Sequence, residues 1–485
     1  MSVYKNTMWS FLSIVGVQII NILTTIILAR VLAPEYFGVL GMAMVFAGIA
    51  FVIQEAGLSS YLIYNKSNSN KLIYSTFWMN ILISAILTAL IWGMSPHIAN
   101  LYKSNQVEEV LKYVCIGIGL GAFGSTSRAL LMKENNFKKI TVIDLIAEIV
   151  SSICAVIFAI YIDGILAVST KYIMRPMIQS ILSLIYKPLS IKTLFAVDLN
   201  ESKKIISYSS NVLGSQLFMY ANNNIDYFLV GTYLGKIQLG LYTLAFQWGS
   251  IARYYLSSAI MRVMFPEVSK LQHNLVKVKN MYLDIISKLA LITLPLCIGL
   301  ALVSYEFIYI LYGQNWLETV RVLQVLLVAG GIASITVVGG PVLRGIGKPQ
   351  VEMKISILSF CSFSLLLMIF IRYGLVAVAY TELLRVLIVE SIRVLALKKY
   401  LKIEIGELVR KLMPTVKALL IMVLVIVIFD YLIVIPNVYI SFISKILLGM
   451  ISYGGAIYIF NKNEIEGLLH KIKFKGVKNE KNINC

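Results

Sequence analysis

The chain has 485 residues, of which 59% are hydrophobic and 14% charged, and its mean hydropathy is +0.82. That composition excludes a soluble domain of this length and places the chain among polytopic, all-α membrane proteins. The formal net charge of +19 invites an anionic partner, but its distribution along the chain accounts for it without nucleic acid.

A bilayer core takes about 20 apolar residues per helix. Windows of that length give about fourteen spans: 8–30, 37–61, 73–95, 109–132, 140–161, 164–186, 207–231, 238–262, 284–305, 319–343, 352–372, 374–397, 415–435 and 438–460. The first is too long for a signal-peptide core and lacks a small-residue cleavage site, so it reads as a retained helix. The window 207–231 is polar, and 319–343 is rich in glycine. Only Arg372, Tyr373 and Gly374 mark the turn between 352–372 and 374–397.

Positive charge alternates with these spans. With both termini cytoplasmic, 31 of the 43 lysines and arginines fall on the inner side, and the outer loops hold only Arg30, Lys103, Lys236 and Arg372. A miscounted span breaks this alternation, so the positive-inside rule supports fourteen passes and explains most of the +19. The longest connections, 187–206 and 263–283, leave no room for a large soluble domain.

The hairpin from Leu28 to Gly41, carrying Arg30, Pro34 and Gly38, has a fainter copy from Thr232 to Ala245 in which Gly240 matches Gly38. Leu131 to Lys138 after the fourth span and Leu343 to Gln350 after the tenth form a second matched pair. Copies six spans apart share an orientation. The expected architecture is therefore two parallel six-helix lobes, 1–190 and 200–400, with two added helices at 410–461 and a basic tail at 462–485. Such repeats place a substrate cavity between lobes.

The runs Ala29 to Gly38, Gln54-Glu55-Ala56-Gly57-Leu58 and Leu343 to Pro349 resemble the signature of polysaccharide flippases in the multidrug, oligosaccharidyl-lipid and polysaccharide exporter superfamily. The resemblance spans almost the whole chain. It implies a two-lobed, alternating-access transporter of the bacterial plasma membrane that moves undecaprenyl-pyrophosphate-linked oligosaccharide units outward for surface polysaccharide synthesis. The implied partners are that lipid-linked substrate, membrane lipids, and a polysaccharide polymerase with its chain-length machinery.

Sugars and pyrophosphate do not cross hydrocarbon unaided, so ionisable residues inside spans are the candidates for the work. Lys171 and Arg175 share one face of the sixth span, and Asp144 and Glu148 one face of the fifth. These four serve either as an ion pair between helices or, through the bases, as phosphate contacts. Arg253 is the candidate cavity base of the second lobe, or else pairs with Asp226 or Glu382. Arg128 and Arg344 end the fourth and tenth spans, where they either meet pyrophosphate or simply follow the positive-inside rule. Gln18 and Asn21 on the first span, and Asn211 and Gln216 on the seventh, suit sugar hydroxyls or interhelical hydrogen bonds.

Asp226, Glu382 and Arg385 are the residue types of a Na⁺ or H⁺ coupling site; no other cofactor is expected. Cys115, Cys154, Cys297, Cys361 and Cys485 show no metal-ligand spacing, and the three histidines are scattered. The alternatives are a cation-coupled drug antiporter of the same superfamily and a membrane-embedded glycan polymerase. Catalysis is not expected, because the outer loops are short, and the absence of a GxxxxGK[ST] motif argues against ATP-driven transport by this chain alone.

Overall fold

The structure is a computed structural model that describes residues 3–56, 58–65, 69–190, 197–253 and 257–462; some side chains within these ranges, among them those of Glu55, Asn211 and Arg262, lie outside the description. Regular structure among the described residues is entirely helical. Ten helical stretches are long and apolar enough to cross a membrane. The chain is a multi-pass membrane protein, and its contacts divide into two compact units, Met1–Thr243 and Leu244–Cys485.

The first unit contains α1 (Val3–Val31), α2 (Pro34–Ala56), α3 (Leu58–Tyr64), α4 (Asn70–Tyr102), α5 (Asn105–Lys133), α6 (Phe137–Tyr161), α7 (Gly164–Tyr186) and most of α8 (Leu199–Gly249). Local chemistry sets the ends. Pro34 opens α2, where its missing N–H costs nothing. Ser69 caps α4 by accepting from the Leu72 N–H, and Asp163 caps α7 by accepting from Ile165 and Leu166. Inside α8, Gly235 has φ +84° and ψ −178°, which divides the element into two helical arms. Gly374 has almost the same backbone conformation, φ +91° and ψ −177°, at the corner before the fifteenth helix. Both corners use a conformation open essentially to glycine alone.

Before α8, Asp198 fastens the connecting segment to α4. Ser75 Oγ accepts from the Asp198 N–H at 2.9 Å, and Lys71 Nζ donates to its carboxylate at 3.4 Å. The Asp198 carboxyl is held below its ordinary range, chiefly because the Asn200 N–H donates to it, with the Lys71 ammonium adding to the effect.

The two matched glycines of the hairpin copies meet. A Cβ on Gly38 would stand 1.7 Å from the Lys236 carbonyl oxygen, and one on Gly240 would stand 1.9 Å from the Pro34 oxygen. Backbone therefore touches backbone between α2 and the second arm of α8. Lys236 Nζ adds an ion pair to Glu35 at 2.5 Å. Farther along α2, Tyr220 OH donates to the Met44 carbonyl at 2.6 Å. These contacts carry the first compact unit past residue 200 to Thr243, so the contact boundary differs from a lobe boundary drawn between residues 190 and 200.

The second unit contains α9 (Ser257–Lys270), α10 (Leu275–Leu302), α11 (Ser304–Leu311), α12 (Thr319–Thr336), α13 (Gly339–Gly345), α14 (Pro349–Phe370), α15 (Leu375–Leu401), α16 (Ile405–Leu432) and α17 (Val438–Phe460). The expected long connection at 263–283 is mostly helix, since only residues 271–274 separate α9 from α10. Val268, Val278, Tyr282 and Leu343 bury these extended ends in one core, which holds the segment in order beyond the apolar span. The last two helices are joined to α11 by Lys445, which reaches Glu306 at 2.6 Å and Asp430 at 2.8 Å.

Four expected spans fall outside the ten apolar stretches: α7, the two arms of α8, and α15. Polar residues lower their hydropathy: Lys171 and Arg175 on α7, Asn222, Asn224 and Asp226 on the first arm of α8, and Glu382 and Arg385 on α15.

Gly38→Ala forces α2 away from α8 and is expected to cost about 1–3 kcal/mol. Thermal unfolding of the detergent-solubilised protein checks this. Gly119→Ala, whose Cβ meets nothing within 4 Å, is expected to leave the midpoint unchanged or raise it.

Candidate functional site

Three helices of the first unit, α5, α6 and α7, bring their charges together, and α1 adds polar groups. Asp144 and Glu148 lie one turn apart on α6 and are both buried. Glu148 is roughly 16 Å along α6 from its first residue at the standard helical rise, near mid-span.

Asp144 accepts from four donors. Arg128 of α5 forks onto it, Nη1 to Oδ1 at 2.7 Å and Nη2 to Oδ2 at 3.0 Å. Gln179 of α7 donates to Oδ1 at 3.0 Å, and Ser13 of α1 donates to Oδ2 at 3.0 Å. The bidentate geometry suits guanidinium and carboxylate and leaves the pair neutral. Arg128 therefore engages Asp144, while Arg344, at the end of the tenth expected span, is exposed at the end of α13.

Glu148 is 0% exposed and faces two cations. Lys171 Nζ donates to its Oε1 at 2.7 Å and to Asn21 Oδ1 on α1 at 3.0 Å. Arg175 Nη1 lies 3.1 Å from Oε2, but no hydrogen bond of acceptable alignment reaches that oxygen. The Arg175 side chain is 39% exposed. Three cations against two carboxylates leave a net charge of +1, and Arg175 is the cation held least tightly. A guanidinium in this state has N–H donors available for a phosphate oxygen. Gln18 and Gln216 are half-buried on α1 and α8, and Asn211 lies outside the described side chains.

In the second unit, Arg253 follows a turn at Ser250 and sits 4.0 Å from Glu382 Oε1 across a small cleft lined by Gly249, Leu326 and Gly330. Glu382 is gripped more closely by Arg385, which donates through Nε at 2.6 Å and also through Nη2. Arg385 Nη1 donates to Ser359 at 2.9 Å, and its guanidinium lies 5.1 Å from the Phe363 ring centroid. Glu382 and Arg385 thus neutralise one another. Asp226, in the first unit, accepts from Tyr242 OH at 2.7 Å and from the Tyr227 N–H at 3.0 Å. Among the described residues no group of three or more histidine, cysteine or acidic side chains is arranged to hold a metal.

Two clusters escape a reading by span position. Arg393, counted above with the cytoplasmic bases, is buried and paired with Glu390 and Glu352. The signal was present: Glu382 with Arg385 and Glu390 with Arg393 are two Glu-x-x-Arg pairs on α15. Lys445 lies mid-span, and its acids come from elsewhere in the chain, so nothing local announces them.

The family model for polysaccharide biosynthesis proteins matches residues 27–321, which include both hairpin copies and all of α6 and α7. The chain belongs to the polysaccharide biosynthesis protein family. Members of known name that it resembles include the succinoglycan biosynthesis transport protein ExoT of Rhizobium meliloti, 25% identical over 350 residues, covering 72% of this chain and 70% of that one. The teichuronic acid biosynthesis protein TuaB of Bacillus subtilis is 26% identical over 343 residues, 70% of each chain. Among solved structures, the lipid II flippase MurJ in an inward closed conformation superposes with a TM-score of 0.77 at 18% identity, covering 95% of this chain and 100% of that one. The chain therefore shares the helical fold of that structure.

Glu148→Gln removes the one carboxylate between Lys171 and Arg175. Leaving buried charge uncompensated is expected to cost about 3–5 kcal/mol, read as a lower unfolding midpoint and reduced membrane yield. Adding Lys171→Met is expected to recover part of that loss in a double-mutant cycle.

Proposed function

We propose that this protein carries an undecaprenyl-pyrophosphate-linked oligosaccharide from the cytoplasmic to the outer leaflet of a bacterial plasma membrane, by alternating access, for surface polysaccharide synthesis. The observation that carries the reading is the excess cation at mid-span. Arg175 stands 39% exposed beside a carboxylate that Lys171 already engages. A buried charge in a membrane span costs about 2.5–3.5 kcal/mol on insertion scales, so a cation beyond what pairing requires points to an anionic cargo. Family membership supports the polysaccharide side of the reading, and the likeness to ExoT supports transport.

The basic loops favour cytoplasmic termini. A pyrophosphate leaving a negative-inside cell gains about 2.3 kcal/mol per charge per 100 mV, which favours outward movement. The released unit then passes to a polymerase with its chain-length machinery. A cation-coupled drug antiporter fits less well, because Arg385 occupies the Glu382 carboxylate that such exchange would use.

Deleting the gene in its host is expected to abolish a surface polysaccharide and to accumulate the lipid-linked unit on the cytoplasmic leaflet. Unchanged glycan with altered drug sensitivity overturns the reading. Arg175→Ala and Arg253→Ala are each expected to lower export at least tenfold while the protein still inserts, measured as surface polysaccharide against membrane-protein level.

A further inference from the structure

Three tyrosine rings of the first unit form a cluster that the charge network does not use. Tyr64 of α3 and Tyr208 of α8 stack with centroids 5.1 Å apart and planes 21° from parallel. Tyr61 leans on Tyr208 at 5.6 Å and 56°. Tyr64 is 68% exposed. The cluster has a rigid seat, because Leu62, Leu72 and Ile205 beneath it are fully buried and Tyr61 packs against them. The start of α8 is fastened to α4 through Asp198, Ser75 and Lys71.

Polar groups surround the rings. Asn65 Nδ2 lies 3.4 Å from Tyr61 OH, and Lys204, Ser207 and Ser210 are exposed on the same end of α8. The adjoining segments carry Lys71, Lys187 and Lys203, the charge pattern of a cytoplasmic face. From Tyr208, the polar positions Asn211, Ser215 and Asn222 follow along α8 at helical spacing toward the middle of its first arm.

A pyranose ring has one face of C–H bonds and a rim of hydroxyls. The C–H face is complementary to the electron-rich face of an aromatic ring, and the rim to nearby hydroxyl and amide groups. Tyrosines of a membrane interface belt sit at headgroup level with their rings among lipids. Here two rings are instead stacked on a buried floor beside a polar stripe.

We propose that Tyr61, Tyr64 and Tyr208 form a docking platform for the saccharide of the incoming lipid-linked oligosaccharide, which lays a pyranose ring on Tyr64 before it moves along α8. The platform rests on the flippase reading above and adds a subsite that recognises sugar rather than pyrophosphate.

Binding to the purified full-length protein tests it with two probes: undecaprenyl pyrophosphate, and the lipid-linked oligosaccharide extracted from the deletion strain. Tyr64→Ala is expected to weaken binding of the glycosylated lipid about fivefold and to leave undecaprenyl pyrophosphate unchanged. Tyr64→Trp keeps the aromatic face and is expected to bind like the wild type. Tyr64→Leu keeps apolar bulk without that face and is expected to bind like Tyr64→Ala. Equal affinity of Tyr64→Ala and wild type for the glycosylated lipid, or the same loss for both lipids, overturns the platform and leaves the flippase reading standing. A wild-type protein that binds neither lipid overturns both.

Discussion

Holding cations inside hydrocarbon is the constraint on which the first unit depends. Arg128, Lys171 and Arg175 would each be too costly alone. They are kept by Asp144 and Glu148, one turn apart on α6, with Ser13 and Asn21 of α1 and Gln179 of α7 completing the shell. The arrangement joins α1, α5, α6 and α7 through directional contacts, which apolar packing between helices cannot supply in lipid. It also divides the labour among the bases. Asp144 is saturated, Lys171 is engaged by two acceptors, and Arg175 keeps donors in reserve. The same atoms thus hold the helices and leave Arg175 the least tightly held of the three cations.

The second unit handles charge differently. Arg385 and Arg393 are each matched to a glutamate three residues earlier on α15, and Lys445 to two acids on α11 and α16. These pairings hold helices in place, and with Glu352 also on Arg393 the three cations face five carboxylates, so their net charge is negative. Arg253 lies 4.0 Å from a Glu382 oxygen that Arg385 also engages.

Glycine supplies the other kind of contact. Gly38 and Gly240 were matched by sequence as equivalent positions in two hairpins, and the structure brings their backbones into contact. Small residues at such a contact allow the closest approach of two helices, so the hairpins join α2 to the second arm of α8.

Much of this was legible in the sequence because it depends on one-dimensional quantities. Apolar length determined the membrane class, and lysine alternation set the expected orientation. Spacing of i,i+4 put Lys171 with Arg175, and Asp144 with Glu148, on shared faces. What spacing does not carry is partner choice between helices distant in sequence. Arg128 is 16 residues from Asp144, and Lys445 is 139 from Glu306; only packing decides that these pairs form. The boundaries at 263–283 were unreadable for a related reason, since helices that run beyond the bilayer no longer need apolar length. The aromatic cluster of Tyr61, Tyr64 and Tyr208 joins elements more than 140 residues apart. Sequence determined which residues the membrane would penalise, and tertiary structure decided which of them had their charge answered by a neighbour, because burial is a property of composition and pairing a property of geometry.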